Sequence, residues 1–225
     1  DIKSLSTSYR DPFAGNLNLG VIPTIGPFLL PYFSGPLLKT YPKLKLAYIE
    51  DMTERLTDHL LAGQLDAAIL ATQPLDPALT CMPLYNENFF VALPHSHRLC
   101  GQDEVSLSDL DDVQMLLLTE GHCLRDQALS VCSTATQNQA VRATSLETLL
   151  GLVAGGHGVT LIPALAIRTG CISELGIDIR PISDPQAFRR VNLTYRKSHV
   201  RPQIFDSLTG LISSKLPPSV SGIKV

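Results

Sequence analysis

The sequence lacks any uninterrupted apolar run of the roughly 20 residues that a membrane-spanning helix needs. Its first residues, DIKSLSTSYRDPFAGN, also lack the charged start and apolar core of a secretory signal peptide. Basic residues do not cluster: 18 Lys and Arg against 21 Asp and Glu give a net charge of −3. No basic run could follow a phosphate backbone. These absences predict a cytoplasmic chain with no membrane partner and no nucleic-acid contact of its own.

Cysteine is scarce and irregularly spaced, which excludes a secreted disulfide scaffold. The count is odd, so at least one thiol stays unpaired. No C-x-x-C pair occurs and no Cys/His group has the spacing of metal ligands, so we expect neither a metal nor a cofactor. His95 and His97 in PHSHRL are expected in a solvated loop. The five cysteines are Cys81, Cys100, Cys123, Cys132 and Cys171.

Apolar runs of strand length recur along the 225 residues, and most are followed by a helical segment. This alternation predicts an α/β protein with mostly parallel sheets and helices on their faces. The length allows one large domain or two units. The predicted strands are LNLGVIP, LKLAYIE, LDAAIL, NFFVALP, VQMLLLT, GVTLIP and RVNLTYR.

Ligands of such sheets bind at the carboxyl ends of strands, which directs attention to the residues after these runs. Thr24 follows the first run and Thr53 the second, and either could contact a ligand. Both have a structural alternative, because threonine at a helix start often caps the helix. Thr144 and Glu147 form a T-x-x-E pattern that predicts a capping box.

Residues 121–132, GHCLRDQALSVC, place one cysteine at each end of a predicted helix. At the N-terminus of that helix, Cys123 meets unpaired N–H groups and the positive end of the helix dipole, which favour a reactive thiolate. His122 adds a possible donor or positive charge. Arg125 points to the opposite side of the helix and Asp126 to the same side, so a stabilising cation must come from elsewhere in the chain.

Cys132 lies nine positions after Cys123, which is about 13 to 14 Å along the axis of a helix. A disulfide needs α-carbons within about 7 Å. The two thiols can therefore bond only if the helix unwinds. The spacing is equally compatible with two ordinary buried residues.

The chain resembles the regulatory domains of the OxyR family of peroxide-sensing LysR-type transcriptional regulators, from about residue 14 to residue 212. EGHCLRDQALSVC carries the specific likeness, together with RATSLETLLGLVAGGHGVTLIPALA and LGVIPTIGPFLLPYF. YPKLKL, GQLDAAIL and GHGVTLIP are shared by LysR-type effector domains at large. The resemblance implies two Rossmann-like lobes of the periplasmic-binding-protein type II kind: 14–86 plus 192–225, and 87–191 with the redox cysteines.

The same resemblance implies site roles. Cys123 matches the peroxide-reactive cysteine and Cys132 the resolving one, joined reversibly through a Cys123 sulfenic acid. Thr24 and Thr53 match positions that hold peroxide, and His122 matches the histidine beside the thiol. Arg189, in AFRRVNLTYR, matches an arginine that supports the thiolate; a surface salt bridge is its structural alternative.

The resemblance also implies partners: hydrogen peroxide, a second regulatory domain in a homodimer, tetramers of the full-length activator, RNA polymerase, and glutaredoxin or thioredoxin as reductant. DNA would bind only through an N-terminal winged-helix domain, which is absent from this chain. STATQNQAV, after Cys132, is shorter than its family counterpart by about two residues, and the other three cysteines have no family role. The implied protein is not an enzyme. Alternatives are a LysR-type domain that binds an organic metabolite between its lobes, and a thiol peroxidase.

Overall fold

The structure, a computed structural model, describes residues 11–132, 136–137, 141–168 and 175–222. Within them the chain forms ten strands and five α-helices. The strands are β1 (Gly15–Val21), β2 (Leu44–Glu50), β3 (Ala67–Leu70), β4 (Leu79–Pro94), β5 (Gln114–Met115), β6 (Thr136–Gln137), β7 (Thr160–Pro163), β8 (Ile177–Pro181), β9 (Phe188–Arg196) and β10 (Ser221–Gly222). The helices are α1 (Gly26–Thr40), α2 (Thr53–Leu61), α3 (Cys123–Val131), α4 (Leu146–Ala154) and α5 (Gln203–Lys215).

The chain divides into two compact units, Asp1–Asn86 with Arg190–Val225, and Glu87–Arg189. The chain passes between them within the long strands β4 and β9. None of the described helices has the length and apolar character needed to cross a membrane.

The first unit is built on strands in the order β10, β4, β9, β3, β1, β2. Strand β1 lies between β2 and β3 and runs parallel to both. Its apolar side chains Leu17, Leu19 and Val21 are at most 1% exposed, so this strand forms the centre of the first core. The carboxyl ends of β1 and β2 lead into α1 and α2, which is the edge where a ligand is expected.

The second unit is organised around the second half of β4. Strands β7 and β8 both pair with it in antiparallel directions. Strand β5 precedes helix α3 and strand β6 follows it, and these two short strands pair in the parallel direction. Gly158 permits the approach of β7 to β5, because a β-carbon there would lie 2.5 Å from the Gln114 carbonyl oxygen. Its φ of +148° is also one that other residues rarely adopt.

The α/β class is present, but the prediction of mostly parallel sheets is not confirmed. The sheet is mixed: β3 with β9, β4 with β10, and β4 with β7 and β8 are antiparallel. Apolar runs report burial and not strand direction. The direction of a strand depends on how the chain returns to the sheet. Here β9 returns to pair with β3 in the antiparallel direction.

Three predicted helix starts differ from the structure. Ile25 and Met52 are the N-cap residues of α1 and α2, and neither makes a side-chain cap. Thr24 therefore precedes the cap of α1, while Thr53 is the first helical residue of α2. Helix α4 is capped by Ser145, whose hydroxyl accepts from the Thr148 N–H, so the predicted T-x-x-E box one residue earlier is wrong.

Candidate redox site

Cys123 is the first residue of α3, as the sequence predicted. The turn before it depends on Gly121, whose φ of +91° lies in the left-handed region that favours glycine. His122 is the N-cap residue, yet its side chain makes no cap hydrogen bond to the first helical turn. The N-terminal dipole of α3 therefore acts on Cys123 without a capping side chain.

Cys132 stands at the other end of the same helix, as its C-cap, and its N–H donates to the Ala128 carbonyl at 2.8 Å. Both sulfur-bearing side chains are buried, at 9% exposure for Cys123 and 4% for Cys132. No disulfide joins them. The intact helix holds the two thiols at its opposite ends.

The surroundings of Cys132 keep its thiol protonated. Burial, with a smaller contribution from the negative charge of Asp111, raises its pKa to about 11. A thiol attacks an oxidised sulfur as the thiolate. In this conformation Cys132 is therefore poorly suited to react, and it gains that ability only by leaving its buried position.

His122, the residue before Cys123 in the chain, is buried at 3% exposure. Burial lowers its pKa, so the imidazole is neutral at neutral pH. Its buried Nε2 atom makes no hydrogen bond to any residue that the structure describes. The histidine thus presents one polar atom for a small ligand and supplies no positive charge to the thiolate at neutral pH.

Arg189, the predicted thiolate support, is a buried residue and not part of a surface salt bridge. Its Nε atom donates to Glu87 Oε1 at 2.7 Å, and its Nη2 atom forms an ion pair with the same oxygen, also at 2.7 Å. The side chains of the pair are 1% and 0% exposed. Glu87 was not among the predicted site residues. The one indication in the sequence is that this acidic residue lies at the start of an apolar run, in NENFFVALP.

Thr24 and Thr53 both belong to the first unit, whereas Cys123, Cys132, His122 and Arg189 belong to the second. Thr24 is buried at 3% exposure. Thr53 is half-buried, and its buried Oγ1 atom has no hydrogen-bond partner among the described residues. A hydroxyl in that state costs free energy unless a ligand or water satisfies it.

The two other cysteines that the structure describes, Cys81 and Cys100, make ordinary thiol contacts with neighbouring oxygen atoms. The Cys81 thiol contacts Gln73 Oε1 at 3.1 Å and the Cys100 thiol the Pro94 carbonyl at 3.3 Å. Burial raises the pKa of both. Cys171 lies outside the described residues. No group of three or more potential metal ligands occurs in the part of the chain that the structure describes.

The two predicted loop histidines differ in their contacts. His95 Nδ1 lies 2.6 Å from Asp178 Oδ2, on a side chain that is 63% exposed. His97 accepts from the Leu99 N–H and caps a short 3-10 turn, Arg98–Gly101.

The raised pKa of Cys132 predicts slow alkylation in the folded, reduced chain. When the pKa of Cys132 rises from its ordinary value of 9.0 to about 11, the fraction of thiolate near pH 8 falls by about 100-fold. We expect iodoacetamide to modify Cys132 about 100-fold more slowly in the folded chain than in urea, as followed by peptide mass spectrometry. Asp111→Asn should raise the folded-state rate. Equal rates in the folded and unfolded chains would show that the thiol is not held in a buried site.

The sequence profile of the LysR substrate binding domain matches residues 10–216. The chain belongs to this family, and its fold is the α/β fold of LysR effector domains, the periplasmic-binding-protein type II kind. Within the family it closely matches the regulatory domains of OxyR. Its curated relatives are transcription activators and not enzymes.

Three similar proteins illustrate the match. A probable hydrogen peroxide-inducible genes activator from Mycobacterium avium is 40% identical over 90% of this chain, which spans 66% of that protein. The reduced OxyR regulatory domain of Pseudomonas aeruginosa is 35% identical with a TM-score of 0.81, over 90% of this chain and 98% of that one. A hydrogen-peroxide-bound cysteine-to-serine mutant of Corynebacterium glutamicum OxyR is 32% identical with a TM-score of 0.88, over 96% and 70%.

Proposed function

We propose that this chain is the hydrogen-peroxide-sensing regulatory domain of a LysR-type transcription activator, switched by a reversible Cys123–Cys132 disulfide. The observation that carries the proposal is the placement of two buried thiols at opposite ends of one intact helix. The likeness to peroxide-inducible activators and to a peroxide-bound OxyR mutant supports the choice of ligand.

The chemistry needs two steps. The Cys123 thiolate attacks one oxygen of hydrogen peroxide, the O–O bond breaks, and the products are Cys123 sulfenic acid and hydroxide, which takes a proton to become water. The Cys132 thiolate then attacks the Cys123 sulfur, forms the S–S bond and displaces hydroxide, again protonated to water. A dithiol reductant resets the domain: it supplies two electrons and two protons that reduce the Cys123–Cys132 disulfide to two thiols, and it is itself oxidised to a disulfide.

The second step requires helix α3 to open. Its nine residues span about 13 Å along the axis, whereas the α-carbons of a disulfide lie within about 7 Å. Cys132 must also leave the buried site that keeps it protonated. The reduced fold therefore keeps the two thiols apart, and the disulfide that follows oxidation of Cys123 requires a different conformation. The domain thus has two states.

The roles of Thr24, Thr53 and His122 in holding peroxide are part of the proposal. Peroxide is small, neutral and able both to donate and to accept hydrogen bonds. The unpartnered Oγ1 of Thr53 and the unpartnered Nε2 of His122 are polar atoms of the type that such a ligand satisfies.

The start of α1, two residues after Thr24, offers little to an anionic metabolite. The N–H groups of Gly26, Phe28 and Leu29 donate to the Ile22 and Ile25 carbonyls, and Pro27 has no N–H. The Glu50 carboxylate lies against the same turn, with Oε2 2.7 Å from where a β-carbon of Gly26 would be. Anions bind helix N-termini through unsatisfied N–H groups, so this turn favours a neutral ligand over an organic acid.

The wider partners belong to the same proposal, because this chain spans only 66% of its Mycobacterium avium relative. They are a homodimer of regulatory domains, a tetramer of the full-length protein, RNA polymerase, a glutaredoxin or thioredoxin, and DNA through an N-terminal domain. Lobes of 14–86 plus 192–225 and of 87–191 would carry the switch to that domain.

The test is stoichiometric hydrogen peroxide added to the reduced chain, followed by non-reducing digestion and disulfide mapping by mass spectrometry. We expect a rapid Cys123–Cys132 linkage, with Cys81 and Cys100 still reduced. Cys100→Ser is the matched control and should form the same linkage at the same rate. Slow, scattered oxidation that spares Cys123 would refute the sensor function and favour a metabolite-binding effector domain.

A further inference from the structure

The Glu87 carboxylate is the most deeply buried acidic group among the described residues, at 1% exposure. The redox chemistry proposed above does not use it. It lies in β4, and its partners come from two other segments of the second unit. This arrangement calls for a role, because burying a carboxylate is costly unless its charge and lone pairs are satisfied.

Both carboxylate oxygens are engaged. Oε1 accepts a hydrogen bond from Nε of Arg189 at 2.7 Å and forms an ion pair with Nη2 of the same residue at 2.7 Å. Oε2 accepts from the Leu165 N–H at 3.1 Å, at the start of a 3-10 turn, Ala164–Arg168. The main-chain contact fixes the carboxylate, and the fixed carboxylate in turn fixes the plane of the guanidinium.

We propose that Glu87 is a positioning residue for the peroxide reaction, holding the Arg189 guanidinium in the orientation in which it supports the Cys123 thiolate. The inference rests on the proposed function, since it takes the role of Arg189 from there. The carboxylate is buried and held by two hydrogen bonds, from Arg189 Nε and the Leu165 N–H, and by the ion pair with Arg189 Nη2. This arrangement gives a preorganised arginine, whereas a flexible surface pair would lose much of its effect to motion and solvent.

Glutamine cannot replace Glu87 in this position. With its amide oxygen toward Arg189, its NH₂ group faces the Leu165 N–H; with the amide reversed, the NH₂ group faces the guanidinium. In either orientation an N–H donor of the glutamine faces another N–H donor. The guanidinium of Arg189 also no longer has a negative charge beside it. We therefore expect Glu87→Gln to release the guanidinium and weaken its effect on Cys123.

The experiment measures the pH dependence of the peroxide reaction in the reduced chain, with Cys132→Ser present in every protein so that only the first step is followed. Glu87→Gln is expected to move the midpoint of the rate profile upward by about one pH unit, which is a tenfold loss of rate below the midpoint. The rate should recover at high pH, where the thiol ionises without help. Arg189→Ala should show the same shift, and Glu87→Gln should add nothing to it.

Asp178→Asn is the control, since it neutralises an acid of the same unit that pairs with Arg180 and His95. It should leave the profile unchanged. If Glu87→Gln lowers the unfolding midpoint but leaves the pH profile unchanged while Arg189→Ala shifts it, Glu87 is purely structural and the inference fails. If Arg189→Ala also leaves the profile unchanged, the inference fails with its premise, while disulfide mapping of the wild-type chain decides the sensor function separately.

Discussion

Replacing Cys123 with serine is expected to abolish the rapid reaction with hydrogen peroxide. Cys123 is the thiol that begins helix α3, with the helix dipole directed at it and the neutral His122 beside it. A serine hydroxyl is not oxidised by peroxide, and Cys132, with a pKa of about 11, cannot replace it at neutral pH. Stopped-flow peroxide consumption and mass spectrometry should show no sulfenic acid and no disulfide.

Cys132→Ser separates the two chemical steps. In this variant one equivalent of peroxide should still be consumed, and dimedone should trap a sulfenic acid at Cys123. Helix α3 should keep its reduced conformation, since no second sulfur pulls it open. A persistent rapid oxidation in Cys123→Ser, at any thiol, would assign the reaction to another residue and contradict the proposed order of events.

Arg189→Met is expected to lower the free energy of unfolding of the reduced chain by about 3 to 5 kcal/mol. The substitution keeps a long apolar side chain but leaves the Glu87 carboxylate buried without its cation. The pair is 1% and 0% exposed, so solvent cannot compensate for the loss. Urea unfolding followed by circular dichroism measures the effect.

Arg190→Met is the matched control, because the neighbouring arginine is exposed and its Nε donates to the Asn86 side chain at 3.1 Å, not to a buried carboxylate. Its effect should stay within about 0.5 kcal/mol. The double variant Glu87→Met with Arg189→Met should recover part of the stability, leaving about 1 to 3 kcal/mol for the unsatisfied Leu165 N–H. A small loss in Arg189→Met alone would show that solvent or another group satisfies Glu87.

Local patterns in the sequence predicted helix α3 and most strands correctly. All seven apolar runs overlap strands. Burial does not explain every one of them, because β2 (LKLAYIE) buries only Leu44 and exposes most of its other residues. VQMLLLT was nevertheless predicted too long: only Gln114–Met115 is a strand, since the following residues find an isolated bridge instead of a continuous partner. The polar strand β8, IDIRP, was missed because it carries little apolar pattern and depends on β4 for its pairing.

The site shows the same division. Helix geometry predicted that the two cysteines lie at opposite ends of one helix, too far apart for a disulfide while the helix stands. Their redox roles came only from the resemblance. Glu87 was not, since it lies 102 positions from Arg189 and no local pattern links them. From the sequence, Thr53 could equally have been the cap of helix α2. In the structure Met52 is the N-cap residue.

By itself the sequence determined the α/β class, the helix between Cys123 and Cys132, and the position of Cys123 at the start of that helix, because each depends on residues within one or two turns of each other. Only the tertiary structure decided the strand directions, the burial that raises the pKa of Cys132, and the pairing of Arg189 with Glu87. These depend on which distant segments pack together. Desolvation and ion pairing act through space, so their strength is set by neighbours that chain order does not reveal.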